Sequence, residues 1–446
     1  MGVMNMKILK VETNFRRKLF WDVHEHKFRE KLKNQERGLL NVYPEMEFQE
    51  IIGFGGAFTE ASGYCLKQVG ENIADNIMAD YFSENGLNYS FCRTPIGSSD
   101  FSVSPYSYMK TNDMDTFSIE RDELYLMPMI KFALQKNPKL KLLASPWSPP
   151  AFMKSNKMLM LGGRLLEKYS AMYAKYLARY LLEYQKKGIE IDYMTLQNEP
   201  NATQVWESCL YSAEEEARFA KNEVYPELMK NGIQTKILAW DHNKERLYTR
   251  GKEIFSIAND CVCGMAMHWY SGDYFEEIAL MRRQFPNKLM IHTEGCTGYS
   301  HFRKEDEINN AEIYGHDMLG DLDAGVNAFI DWNMVLDYKG GPNHKHNYCN
   351  APIMLEKDNK GYVKNLTYYY MGHFSKYIKP GAKKIGYSRF TMDIEMTAFK
   401  NLDDSIVVVL LNRKDINQEF NLQLNGEIYH DNLDSHAILT FVITKS

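Results

Sequence analysis

The stretch Ile189–Pro200, IEIDYMTLQNEP, alternates β-branched and apolar residues up to Gln197 and then presents an amide, a carboxylate and a proline in succession. The alternation predicts a buried strand over 191–197. Pro200 has no amide hydrogen to give to a ladder, so it predicts a break that leaves Glu199 projecting beyond the strand. The pattern of short apolar strand, polar loop and amphipathic helix recurs on both sides. Further strands are expected at 51–58, 88–96, 139–147, 235–240, 264–270, 288–294 and 326–332, and helices at 71–82, 122–136, 165–187, 212–230, 244–259, 273–285, 305–324 and 366–378. In the helix at 165–187, Leu166, Tyr169, Tyr173, Tyr176, Leu177 and Tyr180 recur at helical spacing, which makes the tyrosine stripe a packing face. Eight strands alternating with eight helices predict a (β/α)8 TIM barrel over residues 46–380, with a doubly wound sheet as the alternative.

The two ends read differently. Residues 1–45 and 381–446 carry period-two stretches such as SIVVVLLN and AILTFVIT, punctuated by NLDD and LNGE. Because they flank the barrel, they are expected to meet in one β-sandwich side domain built from both chain termini. The net charge of −5 over 446 residues gives no footprint for nucleic acid or an anionic membrane. No segment offers 18 uncharged apolar residues, so no stable membrane insertion is expected. The opening residues lack an apolar run suited to a signal peptide, which predicts a cytoplasmic protein and leaves export by a non-classical route open. Seven cysteines are scattered without a CxxC pair, as expected of reduced thiols, and Cys261 and Cys263, flanking Val262 in an apolar run, read as buried strand residues.

In a barrel of this kind the chemistry gathers where the strands end. The strand ends here are loaded: Arg93 and Asp100 after the second, Trp147 after the third, Asn198 and Glu199 after the fourth, Trp240-Asp241-His242 after the fifth, His268-Trp269-Tyr270 after the sixth, Glu294 at the seventh, and Asp331-Trp332-Asn333 at the eighth. Glu199 and Glu294 are the paired carboxylates. Asn198 can donate an amide hydrogen bond to a ligand. Glu294 leaves an apolar strand and needs partners, which Arg93 and Tyr270 can supply. Two carboxylates across a barrel mouth suit glycoside hydrolysis, with tryptophans as the floor of a sugar pocket. A metal site built on His268, His292 and Glu294 is the rival. It is disfavoured because His292, two residues before Glu294, is expected to point inward and deeper, and the first strand offers no ligand. The glycines of GFGGAF lack the spacing of a dinucleotide fingerprint and read as a tight strand exit. His344 and His346 read as part of a loop over the pocket. A non-catalytic sugar-binding protein is the remaining alternative, and it would be expected to lack one of the two carboxylates.

The segments GFGGAFTEA, RTPIGSSDFS, SPWSPPAFMKSN, TLQNEPNA, MHWY, HTEGC, DWN and GGPNHKHNYCNAPI together resemble glycoside hydrolase family 30, closest to its glucosylceramidase-type branch and bacterial relatives. The resemblance implies a retaining β-glycosidase with no cofactor, acting on a carbohydrate or glycolipid. It implies Glu199 as acid/base, Glu294 as nucleophile, Asp100 and Trp147 as grips on the sugar hydroxyls, Asn198 at the 2-hydroxyl and Tyr270 on the nucleophile. Trp332 would be the sugar platform and Asn347 a further sugar contact, with Arg93 and His268 supporting. Lysosomal members carry an aromatic after GGPN, where this chain has His344, which bears on the aglycone side. The expected activity is exo-acting hydrolysis of β-glucosides, with glucosylceramide a candidate substrate and β-1,6-glucanase or β-xylosidase activity the alternatives. A retaining pair requires carboxyls roughly 5–5.5 Å apart, with Glu294 ionised and Glu199 holding the proton.

Overall fold

The structure is a computed structural model that describes residues 6–28, 37–298 and 306–445. Residues 1–5, 29–36 and 446 of the expected sandwich segments, and the start of the helix expected from 305, lie outside the described residues. Eight parallel strands close into a barrel in chain order: Gly53–Ala57, Phe91–Ile96, Lys141–Pro146, Tyr193–Thr195, Lys236–Asn243, Val262–His268, Leu289–Glu294 and Ala328–Asn333. Closure sets Phe329 of the eighth strand opposite Phe54 of the first. The interior is filled by Phe91, Leu143, Tyr193, Leu238, Ala266, Ile291, Ala328 and Ile330. The first strand adds glycines instead of bulk. A Cβ on Gly55 would stand 1.9 Å from the Phe91 carbonyl oxygen, so these glycines admit the close approach of the second strand; the expectation of a tight exit is corrected accordingly.

The helices form the outer ring. The tyrosine stripe is indeed a packing face: Tyr173, Tyr176, Tyr180 and Tyr184 are all buried. The hydroxyls of Tyr106, Tyr108 and Tyr184 converge on Asp122 at 2.7, 2.6 and 2.6 Å. The helix expected over 212–230 is broken by a π-helical turn at Ala220–Val224. A further helix, Glu60–Gln68, follows the first strand and is capped by Thr59, whose Oγ1 accepts from the Ser62 amide.

Both chain ends contribute to one nine-stranded sheet in the order 427–433, 418–424, 39–50, 383–389, 395–400, 406–412, 437–445, 6–14 and 19–27. It folds over a core that includes Ile8, Val42, Val408, Leu422 and Phe441, making the β-sandwich expected from the termini. Its strand Leu39–Glu50 runs through the boundary drawn at residue 45 directly to the first barrel strand. The sandwich docks on the last two helices of the barrel; His373, for example, lies between Thr13 Oγ1 and Thr440 Oγ1, 2.8 Å from each. After the eighth strand a small three-stranded sheet, Val335–Leu336, Ile353–Leu355 and Tyr362–Lys364, brackets a loop that reaches over the barrel mouth. Among the described residues no helix is long and apolar enough to cross a membrane.

Candidate active site

The fourth strand ends at Thr195, five residues short of Pro200 (200 − 195). What turns Glu199 toward the mouth is therefore not the proline alone. Its φ is +47°, a left-handed conformation that a glutamate adopts only where its surroundings hold it. They do so by two backbone bonds: Asn198 N donates to Pro146 O (2.8 Å) and Glu199 N to Asp241 O (2.9 Å). The fifth strand is distorted at the same level, with Trp240 and Asp241 at φ +78° and +49°.

Arg93 is fully buried beneath the mouth and organises it. Its guanidinium donates to Glu294 Oε2 (2.6 Å), Asp241 Oδ2 (2.7 Å), Asn198 Oδ1 (2.8 Å) and Ser145 Oγ (3.0 Å). It also lies 4.7 Å from the ring centre of Trp147 and 5.7 Å from that of Trp332. The two indoles stack at 5.1 Å and 22°. Asp241, placed at a strand end by the sequence but given no role, proves to be the hub. Besides Arg93, it accepts from Thr195 Oγ1 (2.7 Å) and Thr293 Oγ1 (2.6 Å), and its Oδ1 lies 3.0 Å from His268 Nε2. Burial alone would raise it, but Arg93 and His268 hold it well below the usual carboxylate range.

The two glutamates sit on opposite sides of this hub. Glu294 accepts from Arg93 and, at 2.9 Å, from the Tyr270 hydroxyl. Glu199 accepts from Gln204 Nε2 (3.1 Å), and its Oε1 is 3.4 Å from His268 Nδ1 and 3.8 Å from His242 Nδ1. Burial opposes the charge on Glu199. The hydrogen bond to His268 and the neighbouring imidazoles outweigh it and bring Glu199 down to about 2. His268, which burial would neutralise, is raised to about 9 by Glu294, Asp241 and Glu199. Burial raises Glu294, against the pull of His268 and Arg93. The shifts run opposite to the ionisation expected from the sequence: the neighbouring imidazoles favour the charged form of Glu199, and burial disfavours that of Glu294.

A cavity of about 360 Å³ opens over these groups. Asp100, Trp147, Asn198, Glu199, Tyr270, Glu294, Trp332 and Asn347 all line it, while Arg93 and His268 lie beneath. Asp100 accepts from Asn343 Nδ2 (3.2 Å) and is raised to about 7 by burial and by the charges of Glu294 and Glu207. The cavity also takes in Gln204, Trp206, His242, Cys296 and Cys349, none of which was assigned to the site from sequence. Gln204 and Trp206 belong to a polar loop whose spacing carries no periodic signal. His344 acts as a staple: its amide donates to Asp100 O (3.2 Å), and its Nε2 meets Glu207 Oε2 at 3.3 Å, tying the eighth loop to those after the second and fourth strands. Cys261 and Cys263 are only half-buried; Cys261 lies in the turn before Val262–His268 and Cys263 on a strand position not fully covered.

His292 is corrected as well. It does not point into the barrel. Its Nδ1 reaches Asp321 on the helix Glu307–Ala324 (2.7 Å), and its ring stacks on Phe329 at 3.9 Å. The pairing register shifts between His292 and Glu294, so the strict alternation behind the expectation fails at that point. His292, Asp317 and Asp321 converge closely enough for a cation, and Lys244 Nζ fills that role at 2.7 Å from each aspartate. Glu199, His242 and His268 also converge, but His268 already spans Glu199 and Asp241 with its two nitrogens.

A parallel barrel with paired carboxylates, buried cations and stacked indoles at its mouth defines the class: the protein is a glycoside hydrolase. Residues 51–378 match the glycosyl hydrolase family 30 TIM-barrel domain and residues 381–441 the glycosyl hydrolase family 30 beta sandwich domain; the chain belongs to that family. It is 33% identical to putative glucosylceramidase 4 of Caenorhabditis elegans over 84% of this chain and 77% of that protein. The crystal structure of SrfJ from Salmonella typhimurium is 35% identical and superimposes with a TM-score of 0.95, covering 98% of this chain and 99% of that one. The endo-beta1,6-glucanase BT3312 is 26% identical with a TM-score of 0.91, covering 99% and 100%.

Proposed function

We propose that this protein is a retaining, exo-acting β-glycosidase that hydrolyses β-glucosides, glucosylceramide among them, by double displacement. The observation that carries the reading is the asymmetric setting of the two glutamates around one cavity. Glu294 is aimed by a guanidinium and a phenol, as a nucleophile requires, while Glu199 stands beside an imidazole that can hold a proton for it. The sugar ring lies on the Trp147/Trp332 stack, with Asp100 and Asn347 at its hydroxyls. The Asn198 carbonyl is engaged by Arg93, which directs the amide Nδ2 toward a ligand hydroxyl. Glu294 attacks the anomeric carbon as Glu199 protonates the leaving oxygen, the proton coming from His268 Nδ1. Water then attacks the anomeric carbon, the bond to Glu294 breaks, and the water proton returns through Glu199 to His268, releasing the sugar with its β configuration. A carboxyl separation of roughly 5–5.5 Å goes with this mechanism.

The likeness to an endo-β1,6-glucanase over nearly the full chain supports a second reading, in which the substrate is a β-1,6-glucan. A cavity at the small end of the range of about 300–1,000 Å³ for ligand sites favours a terminal sugar instead. The test is a panel of aryl β-glycosides, followed by glucosylceramide and β-1,6-glucan, with proton NMR of the first-formed product. Initial release of the β-anomer of glucose is expected. An initial α-anomer would overturn the mechanism, and cleavage of β-1,6-glucan to oligosaccharides with little action on glucosides would replace the substrate.

A further inference from the structure

One wall of the cavity is made of two thiols. Cys296 Sγ and Cys349 Sγ are 3.4 Å apart, and both residues line the cavity. They are 53 residues apart in the chain and are brought together from the exit of the seventh strand and from the loop that follows the eighth. Asn350 N donates to Thr297 O (2.9 Å), so the residues immediately following the two cysteines are bonded backbone to backbone. That bond ties the two segments together beside the thiols, whose sulfurs are already in contact. Neither thiol is passive in the site. The Tyr270 hydroxyl, which also donates to Glu294, is 3.6 Å from Cys296 Sγ, and Cys349 Sγ is 3.9 Å from the carbonyl of Asn347. Both cysteines are buried and face the cavity, so a reagent reaches them through the space where the sugar would lie.

We propose that Cys296 and Cys349 form a dithiol modification site in the substrate cavity, closed to a disulfide by small two-electron oxidants of the peroxide class. The Cys349 sulfur, which accepts the hydrogen bond from Cys296, attacks one oxygen of the peroxide. The O–O bond breaks, the departing oxygen leaves as water with the thiol proton, and a sulfenic acid forms. The Cys296 sulfur then displaces that hydroxyl. Two thiols lose two electrons and two protons in all, and hydrogen peroxide becomes two waters. Shortening the contact from 3.4 Å to the disulfide length of about 2.05 Å draws the sulfurs together by roughly 1.4 Å (3.4 − 2.05). The pull acts two residues from Glu294 (296 − 294) and two from Asn347 (349 − 347), and takes Cys296 off the Tyr270 hydroxyl.

The test uses the full chain treated with hydrogen peroxide in small excess. A mass loss of two hydrogens is expected, with a peptide containing Cys296 joined to one containing Cys349. Turnover of an aryl β-glucoside should fall on the order of 10²-fold, the scale of a 1 Å misplacement in a catalytic site, and dithiothreitol should restore it. Cys349→Val, compared before and after peroxide against its own untreated rate, should show neither the cross-link nor the reversible loss. Sulfinic acid at either residue in place of the cross-link, a different cysteine pairing, or a cross-linked wild type that turns over at the untreated rate would each overturn the proposal. The loss of turnover rests on the glycosidase reading, but the cross-link does not. An untreated enzyme that hydrolyses no glycoside would defeat that reading, while the mass measurement would still decide the dithiol.

Discussion

Strand seven and the end of strand five with the turn after it each feed two buried charge clusters, and both clusters combine carboxylates, an imidazole and a cation. At the barrel mouth, Asp241 and Thr293 join Arg93 and His268 under Glu199 and Glu294. Three residues on from Asp241 (244 − 241), Lys244 points to the outer helix, where with His292 it meets Asp317 and Asp321. In the outer cluster the charges close on one another. Lys244 and Asp321 are wholly buried, and His292 is neutralised by burial, well below its usual value. In the mouth cluster the hub Asp241 is closed in the same way, but the two glutamates it orients face a cavity. Sealed on itself, a cluster of carboxylates, imidazole and cation joins helix to barrel; with two members left open to a cavity, the same chemistry becomes a site.

The comparison can be broken at its most consequential member. Glu294→Gln should lower kcat/KM on every β-glucoside by about 10⁴-fold or more, because no other group can form the glycosyl ester, while the melting temperature stays near wild type. A variant that kept wild-type turnover would place the nucleophile elsewhere. Glu199→Gln should lose about 10²–10⁴-fold on substrates with poor leaving groups and much less on activated aryl glycosides, with azide restoring turnover as a β-glycosyl azide. Equal losses on all substrates and no azide product would count against the acid/base role. In the sealed cluster, Lys244→Met should cost about 3–5 kcal/mol in denaturant unfolding, since it strands two buried aspartates, yet leave kcat per folded molecule unchanged. A selective fall in kcat would show that the outer cluster is part of the site.

The smallest effect is read in the pH dependence of stability. His268 is raised from an ordinary value near 6.5 to about 9, so the folded state binds more protons between those limits. Its contribution is complete below about pH 6.5 and is lost as pH rises through 9. His268→Gln should flatten the stability–pH slope in that window; an unchanged slope would mean that the proton beside Glu199 is held by another group.

The barrel was legible because its signals are local. Eight apolar runs separated by amphipathic helices have one economical closure, and the polar residues at their ends fall at one face. The cavity-lining residues Glu199, Glu294, Trp147, Trp332 and Asp100 were legible for the same reason, whereas Asn347 was marked only by the family resemblance. The misreadings share a cause too. His292 was turned inward by an alternation that the register shift before Glu294 breaks. Pro200 was credited with a turn that the left-handed Glu199 and its bond to Asp241 make. Asp241 could be seen at a strand end, but its four partners come from the second, fourth, sixth and seventh strands, and nothing local announces their convergence. Trp206 and Gln204 lie in a loop without periodicity, and His344 reveals its partner only when Glu207 is placed beside it.

The sequence by itself determined that strands and helices alternate, which faces they bury, and which carboxylates and aromatics stand where the strands stop, because periodicity and chain-breaking residues act over a few neighbours. The tertiary structure alone decided how charge is shared among those groups. The value of each carboxylate depends on burial and on charges within a few ångströms, supplied by strands up to 201 residues apart in the chain, as Arg93 and Glu294 are. The same closure brings Cys296 against Cys349, two thiols that become a pair only when the barrel closes and its last loop folds over the mouth.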